Sequence, residues 1–193
     1  MRAFIAVDLP AELRVELGRW QEKLRKSARG ARWVRPEGIH LTLKFLGGIS
    51  SAQVIEVSKI LSTLPRIAPF EIHFKGFGFF PHAGRPRVLW VGIEPCPTLE
   101  ALAAQVDKSL ETVGFAREQR AFKPHLTLAR FRVPRPQPEI EEAISTNGPT
   151  VLGPITVREF FLFESILRSQ GAEYRKLARF PAIPNSSGKR QID

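Results

Sequence analysis

The tetrapeptide His40-Leu41-Thr42-Leu43 recurs unchanged as His125-Leu126-Thr127-Leu128, 85 positions later. Histidine is the side chain whose charge changes near neutral pH, and threonine carries a compact hydroxyl donor. On an extended strand, residues two apart face the same side, with Cα atoms about 6.5–7 Å apart. Each copy is therefore expected to offer one imidazole and one hydroxyl to a cleft, while Leu41, Leu43, Leu126 and Leu128 enter the core. Set face to face, two such copies supply an acid, a base and two hydroxyls that hold an anion. Such a set can cleave a phosphodiester without a metal ion.

The elements that must position these motifs are also repeated. Phe4-Ile5-Ala6-Val7 ends in Asp8-Leu9-Pro10 and leads into a helical pattern, as Val88-Leu89-Trp90-Val91-Gly92-Ile93 does after Glu94-Pro95. From Asp8 to His40 is 32 positions and from Glu94 to His125 is 31, so two separate landmarks repeat with nearly the same offset. The chain therefore reads as one bilobal unit over residues 1–183, with lobes of 1–85 and 86–183 that can exchange a strand, followed by a disordered tail, 184–193.

Apolar stripes at helical spacing mark Leu13, Leu17, Trp20 and Leu24, then Val54, Val57, Leu61 and Leu64, then Leu99, Leu102, Val106, Leu110 and Val113; a shorter helix covers Pro138 to Ile144. Ser50 with Gln53 is a capping box for the second, and Gly114 closes the third. Strands are expected at Phe4–Val7, Ile39–Leu46, Phe70–Phe79, Arg87–Ile93, His125–Phe131, Thr156–Phe163 and Tyr174–Phe180. Adjacent runs such as 70–79 and 87–93 suit hairpins, so the fold class is α+β, with helices outside mostly antiparallel sheets.

Composition narrows the partners. With 43% hydrophobic residues, the 193-residue chain can bury a core, and 29 Lys+Arg against 19 Asp+Glu leave a net charge of +10. A polyanion, RNA above all, is the expected partner. Cys96 is the single cysteine, which excludes an intrachain disulfide and fits a structural role. The first residues reach Asp8 too early for a signal-peptide core, and no segment approaches the length of a membrane span, so the expected location is the cytoplasm, without a membrane. His73 alternates with Glu71 and Lys75 on a solvated face, and His82 lies in a loop; neither is expected in the site. No zinc-ligand spacing and no P-loop accompanies the two motifs, so neither a metal nor another cofactor is expected.

These motifs resemble those of the two-histidine (2H) phosphoesterase superfamily. Phe4-Ile5-Ala6-Val7-Asp8-Leu9-Pro10, Arg32-Trp33-Val34-Arg35-Pro36, Arg85-Pro86-Arg87-Val88-Leu89-Trp90, Pro124-His125-Leu126-Thr127-Leu128-Ala129-Arg130 and Leu177-Ala178-Arg179-Phe180-Pro181 resemble, in order, the prokaryotic RNA 2′,3′-cyclic phosphodiesterases, also called 2′-5′ RNA ligases. The resemblance implies a pseudo-symmetric fold with a central cleft, each lobe contributing one motif. It implies an enzyme acting on RNA with a 2′,3′-cyclic phosphate end, including tRNA halves, with His40 as proton donor and His125 as proton acceptor; a monomer is expected. The product would be a 2′-phosphomonoester. Family members often carry Tyr and Arg where this chain has Phe163 and Glu164.

Thr42 and Thr127 are expected to hold the non-bridging oxygens. Regular alternation puts Lys44 on the face of His40 and Thr42, and Phe45 is a candidate to stack on a base. Arg130 matches the family motif, yet the same alternation places it with Leu126 and Leu128, so it reaches the cleft only if the strand bends. The alternatives are a non-catalytic module that binds RNA ends, and a cyclic phosphodiesterase acting on small nucleotides or 2′-5′ linkages.

Overall fold

A computed structural model describes residues 1–28, 30–65, 67–82, 84–147, 152–168 and 171–181; the expected tail, 184–193, lies outside them. The elements in order are β1 (Arg2–Val7), α1 (Ala11–Arg25), β2 (Ala31–Trp33), β3 (Leu41–Gly48), α2 (Ser51–Ser62), β4 (Phe70–Ile72), β5 (Phe74–Phe80), β6 (Val88–Ile93), α3 (Pro97–Glu111), β7 (His125–Phe131), α4 (Pro138–Thr146), β8 (Ile155–Val157), β9 (Glu159–Arg168) and β10 (Gly171–Pro181). A single 3-10 turn, Pro36–Gly38, precedes β3.

The fold is α+β. Its main sheet runs β10-β9-β1-β3-β7-β6-β5, with β2 added on β7, and every pairing is antiparallel. The two halves of this sheet meet at one residue pair, Leu41 with Leu126, the leucines that follow the two motif histidines. Both leucines are fully buried on the helix side, in one core with Leu17 and Leu24 of α1 and Leu99 and Leu110 of α3. Residues on either side of that pair must project from the opposite face, away from the helices.

The run 70–79 is two strands rather than one. Phe70 and Ile72 pair with Val157 and Ile155 in a separate two-stranded sheet, while β5 pairs with β6. His73, exposed between them, uses its carbonyl to accept the Glu94 N–H at 2.9 Å. The capping box of α2 forms as expected: Ser50 Oγ accepts from Gln53 N–H at 3.2 Å, and Gln53 Oε1 accepts from Ser50 N–H at 2.9 Å. Gly114, with φ +89°, turns the chain out of α3 in the left-handed region that glycine enters without strain.

A second, smaller apolar cluster lies on the cleft side of the sheet. Phe4, Ala6, Phe161 and Phe163 pack together there with Tyr174. It forms the floor under one of the two motif histidines.

Candidate active site

The two motif strands carry the same irregularity. Across from β1, Ala6 faces Thr42 and Ile5 faces Lys44, so Leu43 is an extra residue in β3. Across from β6, Trp90 faces Thr127 and Leu89 faces Ala129, so Leu128 is the extra residue in β7. Each β-bulge shifts the alternation of its strand by one position. Leu43 and Lys44 are consequently both buried and Phe45 is 69% exposed; Leu128 and Ala129 are both buried and Arg130 turns outward. The third residue after each motif threonine, not the second, returns to the cleft.

The cleft so formed, of about 610 Å³, is lined by His40, Thr42, Phe45, His125, Thr127 and Arg130 together with Arg2, Phe4, Ser165 and Tyr174. The antiparallel sense of the Leu41–Leu126 pair puts His40 toward Thr127 and Thr42 toward His125. Among the described residues neither threonine hydroxyl has a protein partner, and Arg130 has no carboxylate. Two hydroxyl donors and a guanidinium therefore face the space between the imidazoles, as an oxyanion requires.

Lys44 is not part of this set. The bulge turns it to the opposite face, where Nζ donates to Asp107 Oδ1 at 2.5 Å and to the Ala116 carbonyl at 2.8 Å. Arg130 reaches the cleft for the same reason that Lys44 leaves it. Phe163 lies 5% exposed in the aromatic floor, and Glu164 pairs with Arg175 at 2.6 Å, so neither lines the cleft.

Both imidazoles are held alike. His40 Nδ1 lies 2.8 Å from the Gly38 carbonyl and His125 Nδ1 lies 2.7 Å from the Lys123 carbonyl. A carbonyl only accepts, so each Nδ1 carries the proton, which leaves Nε2 as the lone-pair nitrogen of each neutral ring. The His40 ring stacks on Phe4 at 4.4 Å and meets the Tyr174 edge at 5.0 Å; His125 meets Phe80 edge-on at 4.9 Å.

This packing sets their proton affinities. Burial pushes His40 down to about 4, against the raising effects of the Gly38 carbonyl and Asp8, with Arg14 and Arg130 lowering it further. Burial, helped by Arg130, also holds His125 below the ordinary imidazole range. Burial raises Tyr174, with Arg130 opposing. The cleft thus sets two neutral imidazoles near pH 7 beside a positive guanidinium, a combination that favours an anion.

Sulfate, which does not titrate above about pH 3, is therefore expected to raise the His40 pKa toward its ordinary value by supplying negative charge. Its affinity should increase as pH falls from 7 to 5. An NMR titration of the His40 ring with and without sulfate checks this; identical curves would show that the anion does not reach His40. For the protein alone the sign for stability is set. Folding favours neutral His40, so this contribution is complete above about pH 6.5 and is lost as pH falls toward the folded value.

The bulges are braced reciprocally from beneath. Gln21 of α1, 1% exposed, donates through Nε2 to the Leu128 carbonyl at 3.0 Å and to the Val34 carbonyl at 2.7 Å. Asp107 of α3 takes the Lys44 ammonium. Gln21 and Asp107 stand 86 positions apart, the separation of Asp8 and Glu94, so they occupy like places in the two repeats. The helix of each repeat ties down the motif strand of the other. Tyr174, Phe4, Arg2 and Gln21 were not indicated as site residues by the motifs; for Gln21 the repeat offset was the available signal.

Among the described residues no three His, Cys, Asp or Glu side chains converge to hold a metal ion, and no helix is long and apolar enough to cross a membrane.

Known proteins resemble this chain in sequence and fold. The family profile LigT like Phosphoesterase matches twice, over residues 7–90 and 91–174, following the duplication. The RNA 2′,3′-cyclic phosphodiesterase of Archaeoglobus fulgidus is 36% identical over 180 residues, covering 93% of this chain and 99% of that protein. The crystal structure of TT0787 of Thermus thermophilus superposes with a TM-score of 0.80 at 33% identity, over 94% of this chain and 98% of that one. E. coli LigT complexed with 3′-AMP superposes with a TM-score of 0.75 at 28% identity, over 93% and 97% respectively. With two matched repeats and two His-x-Thr strands meeting at one cleft, the chain belongs to the LigT-like phosphoesterase family.

Proposed function

We propose that this protein is an RNA 2′,3′-cyclic phosphodiesterase that opens the cyclic phosphate to a 2′-phosphomonoester. The carrying observation is the cleft in which His40, His125, both threonines and Arg130 converge. Relatives bearing that name cover nearly the whole chain, and E. coli LigT has been crystallised with 3′-AMP and with phosphate.

In the proposed reaction His125 Nε2 takes a proton from water, whose oxygen forms the new bond to phosphorus. The phosphorus–O3′ bond breaks, and His40 delivers its Nε2 proton to O3′. His40 acquires that proton as the anion binds, which is why its low value in the free protein is compatible with an acid role. Thr42, Thr127 and Arg130 hold the non-bridging oxygens; one such donor contributes about 2.7–4 kcal/mol in a known case. Phe45 stacks on a base at the rim.

No step in this scheme needs a metal or cofactor. The net charge of +10 supports RNA as the substrate, and tRNA-derived ends belong to this proposal through the family resemblance alone. The single cysteine fits a cytoplasmic protein, which we take to act as a monomer. Reversal of the same steps joins a cyclic end to a 5′-hydroxyl in a 2′-5′ bond.

The test is product analysis on an oligoribonucleotide with a 2′,3′-cyclic end, with and without EDTA. Complete conversion to 2′-phosphate ends, unaffected by EDTA, is expected. Products with 3′-phosphate ends would reverse the leaving group, and stoichiometric binding without turnover would make the protein an RNA-end-binding module.

A further inference from the structure

We propose that Trp90 and Phe80 form a nucleobase platform beside His125, for the nucleoside whose 5′-oxygen takes the place of the attacking water. The proposal rests on the phosphodiesterase reading above and adds a second nucleoside subsite to it.

Placement comes from strand register. Trp90 lies directly across from Thr127, and Gly92 directly across from His125. Directly opposed residues project from the same face, so the indole is on the cleft side of the sheet. The other face is already closed by Leu89, Val91 and Leu126, all fully buried. The indole lies down across its neighbours. A Cβ on Gly78 would sit 2.2 Å from ring carbons Cη2 and Cζ2, and one on Gly92 would sit 2.9 Å from Cζ3. Glycine at both positions lets the ring approach the backbone of β5 and β6. Phe80 adjoins Trp90 at 5.0 Å and His125 at 4.9 Å, so aromatic surface runs unbroken to the imidazole. Exposed Lys75 lies over Gly92, its Cγ and Cε 3.0 and 3.2 Å from where a Cβ on that glycine would sit, and adds a cation at the margin.

The first repeat shows what this surface lacks. Ala6, across from Thr42, occupies the place of Trp90 there, and it is fully buried in the cluster of Phe4, Phe161 and Phe163, with β9 and β10 beyond it. In the second repeat β5 ends the sheet, and among the described residues no strand covers Trp90. Aromatic faces next to a cation are how proteins hold unpaired bases.

In-line displacement assigns the occupant. Water enters on the side of His125 and O3′ leaves on the side of His40, so the cyclic nucleotide's own ribose lies toward His40. A nucleoside on the His125 side is one joined to phosphorus through the incoming oxygen, the 5′-hydroxyl partner of a 2′-5′ linkage. For that partner the balance is simple: its O5′ bonds to phosphorus, His125 takes the O5′ proton, the O3′ bond breaks and O3′ receives the His40 proton. Cleavage of the 2′-5′ bond is the reverse.

The test measures affinity by anisotropy of a labelled 2′-5′-linked dinucleotide, with competition by inorganic phosphate and by a cyclic mononucleotide. Trp90→Leu is expected to weaken the dinucleotide about five- to hundredfold, the range that loss of one stacked base covers. The phosphate and mononucleotide constants should move by less than about threefold. Lys75→Ala, at an exposed position, should weaken the dinucleotide several-fold and flatten its salt dependence. Equal losses for dinucleotide and mononucleotide would place the cyclic nucleotide's own base on Trp90 and overturn the assignment. Unchanged dinucleotide affinity in both variants would remove the platform. Because the readout is binding, it stands apart from turnover: a wild-type protein that binds the dinucleotide but hydrolyses no cyclic phosphate would refute the phosphodiesterase reading alone.

Discussion

His40→Gln and His125→Gln are each expected to lower kcat for a cyclic-ended RNA by about 10²–10⁴-fold, the range of general acid–base catalysis, with KM changed little. Glutamine keeps a polar side chain of similar reach where alanine would leave a gap against Phe4 or Phe80, so lost activity can be separated from lost packing. The double variant should be scarcely worse than either single one, because the two rings serve one proton-transfer sequence. The pH dependence assigns the roles. Removing the base abolishes the acidic limb of the rate profile, and removing the acid abolishes the alkaline limb. The acidic limb should therefore vanish in His125→Gln and the alkaline limb in His40→Gln. Exchanged limbs would exchange donor and acceptor, and near-full activity in both variants would end the catalytic assignment.

Much of this site is legible in the chain because its motifs are local and repeated. The two tetrapeptides need only the two-residue period of a strand, and the capping box of α2 needs only Ser50 and Gln53. Lys44 is where that period misleads. The extra residue Leu43 is defined by pairing with Ile5 and Ala6 of β1, far back along the chain, and nothing within the strand announces it. Arg130 is the mirror case: the family motif pointed to the cleft, the alternation pointed to the core, and the bulge at Leu128 reconciles them. Gln21 lies on the apolar face of α1 beside Leu17 and Leu24, and its role is visible only when its acceptor, the Leu128 carbonyl 107 residues away, is brought within reach. Tyr174 arrives through the β9–β10 hairpin from the far end of the chain. What the sequence alone does not display are the side chains whose place depends on pairing between distant strands.

Asp107→Ala is expected to destabilise the fold by about 3–5 kcal/mol, the cost of leaving a buried charge without its partner. The Lys44 side chain is 6% exposed and that of Asp107 16%, and the Ala116 carbonyl alone does not neutralise the ammonium. Asp107 also accepts the Glu118 N–H at 3.1 Å, so its loss frees the loop after α3. For a protein of this size the melting temperature should fall by about 6–20 °C. The pH dependence has a definite sign. Burial opposes ionisation of Asp107, but Lys44 and the Glu118 N–H outweigh it and hold the carboxyl below its ordinary value of 3.8. Its contribution is therefore present above that value and is lost as pH falls through the folded one, so wild type and variant should converge in acid. Pairing Asp107→Ala with Lys44→Met removes the orphaned charge and should recover a large part of the loss, which a purely helical effect at Asp107 would not do. Because Lys44 is the residue after the bulge that sets Thr42 and Phe45 toward the cleft, the single variant should also lose activity at temperatures where it remains folded. A melting temperature within about 2 °C of wild type would show that the Lys44–Asp107 tie does not hold the two repeats in register.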